Sequence, residues 1–175
     1  MKKIFSGWVL PVIIAVILAL LIKHFLFFNI KVPSRSMYPT IKAGDRIIVT
    51  RVFNKDKLKR GDIVVFHSNE LGEDLIKRLI GVPGDTVEVN TDGSVLVNSN
   101  KIDEPYVVYN LVQNDTNRIK NSSFKVPKDS YLFLGDNRAD SLDSRYWENC
   151  YINKDQIKGK GRIVIFPFSR IGKLK

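Results

Sequence analysis

The first feature along the chain is an apolar run from Ile4 to Ile22, 19 residues with no charge and with Ser6 as the only hydroxyl side chain. As a helix it is about 28 Å long, close to the thickness of a bilayer core. Pro11 lies near one end, where bilayer helices tolerate it. Lys23, His24 and Phe25 to Phe28 follow, and they read as an interfacial exit with Lys23 extending to water and the aromatics at headgroup level. A cleavable leader also begins with lysines before an apolar run, but this stretch is long for that role and no small-x-small ending follows it. Residues 1–30 are therefore read as one N-terminal transmembrane helix with its interfacial segment. Positive charge flanks both ends, so charge alone does not set its orientation.

Beyond Lys31 the apolar residues arrive in short runs separated by turn signals, which predicts a mainly β domain over 31–175. The expected strands are Arg46 to Val52, Asp62 to Phe66, Leu75 to Ile80, Thr86 to Val89, Ser94 to Val97, Tyr131 to Leu134 and Gly161 to Phe166. Thr91-Asp92-Gly93 between two of them reads as a hairpin turn, with Gly93 suited to positive φ. The stretch from Asn98 to Ser130 is polar and weakly periodic, and reads as a ribbon or loop excursion from the core.

With 175 residues, the chain has room for one anchor and one domain of roughly 140 residues. The net charge is +10, and the anchor segment's three lysines leave +7 for the rest. No basic run with interleaved aromatics occurs, so the charge reads as a solvated surface beside anionic lipid and not as a nucleic-acid site. A single cysteine, Cys150, cannot form an intramolecular disulfide and reads as a small packed hydrophobe.

The candidate chemistry narrows by residue type. A Ser-His-Asp triad needs a usable imidazole, and the two histidines are His24 in the anchor segment and His67 at a strand end, where a surface role is the ordinary one. Two distant histidines and one cysteine give no metal spacing, and the acidic loop from Asp136 to Asp143 lacks the Gly and Glu offsets of a calcium loop. No metal or cofactor is expected. A serine activated by a desolvated lysine remains. In Asp74-Leu75-Ile76-Lys77-Arg78-Leu79-Ile80, strand alternation sets Lys77 on one face with Leu75 and Leu79, and Arg78 on the other with Ile76 and Ile80. One of these two cations must point toward apolar neighbours, although a lysine reaching from an edge strand to water fits the same pattern. Ser36 lies between Pro33 and Pro39 in a stiff segment, with Ser34 two residues before it as a possible second hydroxyl donor. An ordinary proline-rich juncture fits that segment equally well.

Together, four segments in order behind the apolar run resemble the bacterial type I signal peptidase family, in its compact Gram-positive-like form. Ser34-Arg35-Ser36-Met37-Tyr38-Pro39-Thr40 is similar to the nucleophile motif, and Gly44-Asp45-Arg46-Ile47-Ile48-Val49 to the following G-D-x-hydrophobic stretch. Lys77-Arg78-Leu79-Ile80-Gly81-Val82-Pro83-Gly84-Asp85 is similar to the base motif, and Gly135-Asp136-Asn137-Arg138-Ala139-Asp140-Ser141-Leu142-Asp143-Ser144-Arg145 to the closing loop. The resemblance implies that Ser36 attacks the scissile carbonyl and that neutral Lys77 takes its proton. The Ser36 N–H and the Ser34 hydroxyl would hold the oxyanion, and Ser141 would orient the Lys77 amine. Asp143 and Arg145 would form a supporting ion pair, with Asp136 and Arg138 positioning the loop. It further implies a β-rich catalytic domain with a small ribbon excursion over 98–130. Substrates would be secretory preproteins, bound extended, with small side chains before the cleaved bond. The enzyme would be single-pass in the cell membrane, with its N-terminus cytoplasmic and its catalytic domain outside. Two other readings share these features: a self-cleaving repressor-type Ser/Lys protease, whose DNA-binding domain would stand where the apolar run is, and a catalytically silent tethered homologue, which would have lost the serine or the lysine.

Overall fold

A computed structural model describes residues 2–107, 119 and 121–174. The apolar run forms one helix, α1 (Lys2–Leu26). Its stretch Trp8–Leu26 is long and apolar enough to cross a membrane, and none of it is buried within the protein. The helix continues beyond Ile22 and carries Lys23 and His24 in its last turn, where cations complement the exposed carbonyls.

Without a linker, the chain then enters β1 (Phe27–Lys31), which pairs antiparallel with β2 (Arg46–Arg51), Phe27 opposite Thr50. Phe27 and Phe28, read as interfacial aromatics, therefore open the sheet. Their period-two alternation of exposed and half-buried positions was hidden because the exposed member, Phe27, is itself apolar and prolongs the apolar run.

The main sheet continues with β3 (Ile63–Ser68), β4 (Glu73–Gly81), β9 (Ser130–Leu134), β10 (Ile152–Asn153) and β11 (Ile157–Phe166), in the order β1-β2-β11-β3-β4-β9-β10, and β12 (Gly172–Lys173) pairs with β11. A smaller sheet of β5 (Thr86–Val89), β6 (Val95–Val97), β7 (Asn100–Lys101) and β8 (Ser122–Lys125) has the order β7-β6-β5-β8. Each expected strand is present, with β4 and β11 beginning earlier than the apolar pattern. The β5–β6 turn is as expected, with Gly93 at φ 81°. The excursion contributes β7 and β8 to the small sheet, while 108–118 and 120 lie outside the described residues.

Three apolar clusters hold these layers. Val87, Val89, Val95, Val97 and Phe124 of the small sheet pack on Ile80, Leu132 and Leu134 of the main sheet. On one face of the main sheet Val64, Phe66, Leu79, Phe133 and Trp147 meet, with Phe66 stacked on Phe133 at 4.4 Å. On the other face are Ile47, Val49, Ile63, Val65 and Ile76, with Met37 and Ile41 from the loop after Ser36. Strand β4 runs between these faces. Lys77 lies opposite Val64 on the first and Arg78 opposite Ile63 on the second.

Candidate active site

Ser36 stands in the loop between β1 and β2, and that loop is fixed from two sides. Met37 and Ile41 are fully buried, and the Ile41 N–H donates to the Met37 carbonyl at 2.8 Å. From the acidic loop, the Asn137 N–H donates to the Ser36 carbonyl at 3.0 Å and the Asn137 Nδ2 to the Arg35 carbonyl at 3.2 Å. The serine is thereby aimed at β4, where Lys77 Nζ donates to Ser36 Oγ at 2.6 Å. Ser34 Oγ lies 3.3 Å from the same oxygen.

Lys77 is only 3% exposed, and its amine pKa falls from the ordinary 10.5 to about 8. Burial is the main cause, since a low-dielectric surround disfavours the ammonium, while Asp143, Glu73 and Asp136 hold it up and Arg145 adds to the depression. An amine poised there is neutral in an appreciable fraction of molecules near neutral pH and can accept a proton from the hydroxyl it touches.

Both cations of the alternating pair are buried, where the sequence pattern demanded only one. Arg78, 1% exposed, directs Nε and Nη2 to the two oxygens of Asp136 at 2.7 and 2.7 Å. Asp136 also accepts from Thr40 Oγ1 at 2.5 Å, four residues past the serine. The two cations remain distinct because Arg78 has a carboxylate, whereas among the described residues no carboxylate reaches ion-pair distance of Lys77. This leaves one permanent charge compensated and one lysine free to lose its proton.

The acidic loop after β9 closes the site. Asp143 and Arg145 form the expected ion pair, at 2.8 Å from Nε and 2.8 Å from Nη2, and Asp143 also accepts the Gly135 N–H at 2.9 Å. Burial alone would raise the Asp143 pKa, but Arg145 and the Gly135 N–H overcome it and hold the carboxylate below its ordinary range. Arg138 pairs with Glu104, in the segment that follows β7, a partner for which the sequence carried no signal. Ser141 Oγ is buried beside Asp143, whose carboxylate it helps to stabilise, and its expected bond to the lysine amine is not formed. Gly135 explains the closeness of these parts. A Cβ on it would stand 2.2 Å from Ser141 Oγ and 2.4 Å from the Ser36 carbonyl oxygen, so the loop can approach the serine only with glycine there.

The other candidates lie apart. His67 is half-buried and pairs through Nδ1 with Asp74 at 2.9 Å, on a surface where Asp74 also pairs with Lys158. Cys150 is half-buried, with Sγ 3.7 Å from the Trp147 carbonyl oxygen. Thr40, Glu104 and Gly135 were not singled out in the sequence. Gly135 stood at the head of the loop motif and Thr40 at the end of the nucleophile motif, while Glu104 carried no signal beyond being polar.

The model of the family described as signal peptidase, peptidase S26, matches residues 5–166. Signal peptidase I P of Bacillus subtilis subsp. natto is 41% identical over 179 residues, covering 99% of this chain and 95% of that protein. Signal peptidase I T of Bacillus subtilis is 39% identical over 96% of this chain and 89% of its own length. Signal peptidase IB of Staphylococcus aureus is 37% identical over 97% and 93%. With the serine and the lysine in contact and the similarity running nearly end to end, the chain belongs to the signal peptidase family, peptidase S26, and is a hydrolase of that family.

Proposed function

We propose that the chain is a membrane-bound serine endopeptidase that removes N-terminal signal peptides from secretory preproteins, with Ser36 as nucleophile and Lys77 as general base. The observation that carries this reading is the 2.6 Å contact between Ser36 Oγ and an amine that burial has poised near neutrality. Neutral Lys77 takes the hydroxyl proton as Ser36 Oγ bonds to the scissile carbonyl carbon. The Ser36 N–H and the Ser34 hydroxyl donate to the oxyanion. The resulting ammonium returns the proton to the leaving amine, and a water deprotonated by the same lysine then hydrolyses the ester. The family resemblance assigns Ser141 to orienting the amine. Asp136, Arg138, Asp143 and Arg145 hold the loop in place through their ion pairs, which serve geometry more than stability.

Location supports the substrate class. One cross-strand row runs Phe27, Thr50, Lys160, Val64, Lys77. At about 4.8 Å per strand, the lysine lies about 19 Å across the sheet from the first residue after the helix. A site that close to the end of the apolar helix suits a substrate whose own apolar segment is held in the bilayer. β1, at one edge of the sheet, leads to Ser36 and offers a backbone edge for an extended substrate. Small side chains before the cleaved bond are the family's preference, and the single-pass arrangement has the N-terminus cytoplasmic and the catalytic domain outside.

Purified full-length protein should cleave a preprotein at one mapped bond. Ser36→Ala and Lys77→Ala should abolish cleavage without unfolding the domain, while His67→Ala and Cys150→Ser stay active. Loss in the histidine variant alone would overturn the base assignment. Protease added to intact spheroplasts should digest the domain; digestion only after lysis would reverse the orientation.

A further inference from the structure

Two residues outside the four motif segments join the ion pairs that surround the dyad. Glu104 and Tyr106 follow β7. Glu104 is 3% exposed and accepts from Arg138 Nη1 at 2.9 Å and Nη2 at 2.5 Å. Tyr106 donates its hydroxyl to Glu104 Oε1 at 2.9 Å, and its ring lies 3.7 Å from the guanidinium carbon of Arg78.

Traced outward from these two residues, the contacts close on the nucleophile from both directions. Through Tyr106 they pass to Arg78, the neighbour of Lys77, then to Asp136, then to Thr40 in the loop that follows Ser36. Through Glu104 they pass to Arg138, whose Nε donates to the Gly135 carbonyl at 3.1 Å and whose Nη1 donates to the Gly93 carbonyl at 2.7 Å. Gly135 in turn is the residue pressed against the Ser36 carbonyl and Ser141. Every charged member of this circuit is buried and each cation has its carboxylate: Arg78 with Asp136, Arg138 with Glu104. A buried circuit of this kind is geometrically demanding, because an unpaired member is costly and the paired arrangement is directional.

We propose that Glu104 and Tyr106 are positioning residues for the hydrolysis, closing a hydrogen-bonded and stacked circuit that fixes the Ser36 loop and the Gly135 loop about Lys77. This rests on the Ser36/Lys77 reading. The segment after β7 and the Gly93 turn of the small sheet thereby have a part in the proposed hydrolysis. Displacing a nucleophile by about 1 Å costs as much as a hundredfold in rate, so loosening the circuit should appear in turnover while substrate binding at the sheet edge is spared.

The test compares full-length parent, Glu104→Gln, Tyr106→Leu and Tyr106→Phe on one preprotein, with rates normalised to the folded fraction from near-ultraviolet circular dichroism. Glu104→Gln and Tyr106→Leu should lower kcat by roughly tenfold to a hundredfold with KM within about twofold. Tyr106→Phe keeps the ring over Arg78 and should lose less than Tyr106→Leu. Because Glu104 acts through Arg138, the double variant with Arg138→Gln should be no slower than the slower single variant. Should Glu104→Gln fail to fold, Tyr106→Leu, which leaves both ion pairs intact, carries the test. A parental kcat per folded molecule, a rise in KM alone, or additive losses would overturn the proposal. Retained cleavage by Ser36→Ala, run alongside, would instead overturn the dyad on which it rests.

Discussion

A buried lysine without a paired carboxylate is expensive, and at Lys77 the cost and the proposed role as base have one source, the burial of the amine. Its pKa is about 8 in the folded chain against 10.5 ordinarily. Below pH 8 both folded and unfolded chains hold the proton, and the folded state bears the full penalty of burying it. Between the two values the unfolded chain binds more protons, so stability rises with pH, and above 10.5 the penalty is gone. At 1.36 kcal/mol per pKa unit, the penalty at neutral pH is about 3 kcal/mol. Lys77→Met, similar in volume and without charge, should therefore be inactive yet more stable at pH 7 by an amount of that order, with the gain shrinking as pH rises from about 8 toward 10.5. Urea unfolding followed by the fluorescence of buried Trp147 checks this; equal or lower stability at pH 7 would mean that the amine is not desolvated. The alternation around Lys77 and Arg78 was readable in the sequence, but the burial of both was not. Arg78 is neutralised by Asp136, 58 residues away, and no local pattern carries that pairing.

At the level of elements, what could be read was what has a period. The strands with several alternating or continuous apolar residues, β2 to β6, β9 and β11, stood out. β7, β10 and β12 are two residues each, too short to carry an alternation, and β8 has Phe124 as its single apolar residue. β1 was concealed for the opposite reason, an apolar helix running straight into it. The omission matters, because β1 is the element that ties α1 to the sheet and leads to Ser36. The motif segments located the dyad and the Asp143–Arg145 pair, since these lie within or between short stretches of defined chemistry. Glu104 and Tyr106 were hidden because they come from the polar excursion, where nothing in composition distinguishes a buried carboxylate from a solvated one.

Across the whole molecule, the helix end, the sheet and the Ser36–Lys77 pair share one frame: the row from Phe27 to Lys77 runs through five adjacent strands, with the register shifts of β11 lying to either side of it. The apolar helix, the Ser36 loop and Lys77 are thus joined through one continuous hydrogen-bonded sheet, and the small sheet packs against it from one side. In the proposed mechanism, the protonation of Lys77 sets the pH dependence of the entire enzyme. Glu73, exposed at the start of β4, is among the carboxylates that raise the lysine's pKa, so its charge can be removed with little disturbance to the core. The most direct measurement is the pH dependence of kcat for the full-length chain in lipid vesicles, parent beside Glu73→Gln. The rate should rise with pH through a midpoint of about 8, displaced to lower pH in Glu73→Gln because the ammonium has lost a stabilising carboxylate. A limb near the histidine value of ~6.5 that disappears in His67→Ala, or one that Glu73→Gln leaves in place, would contradict it.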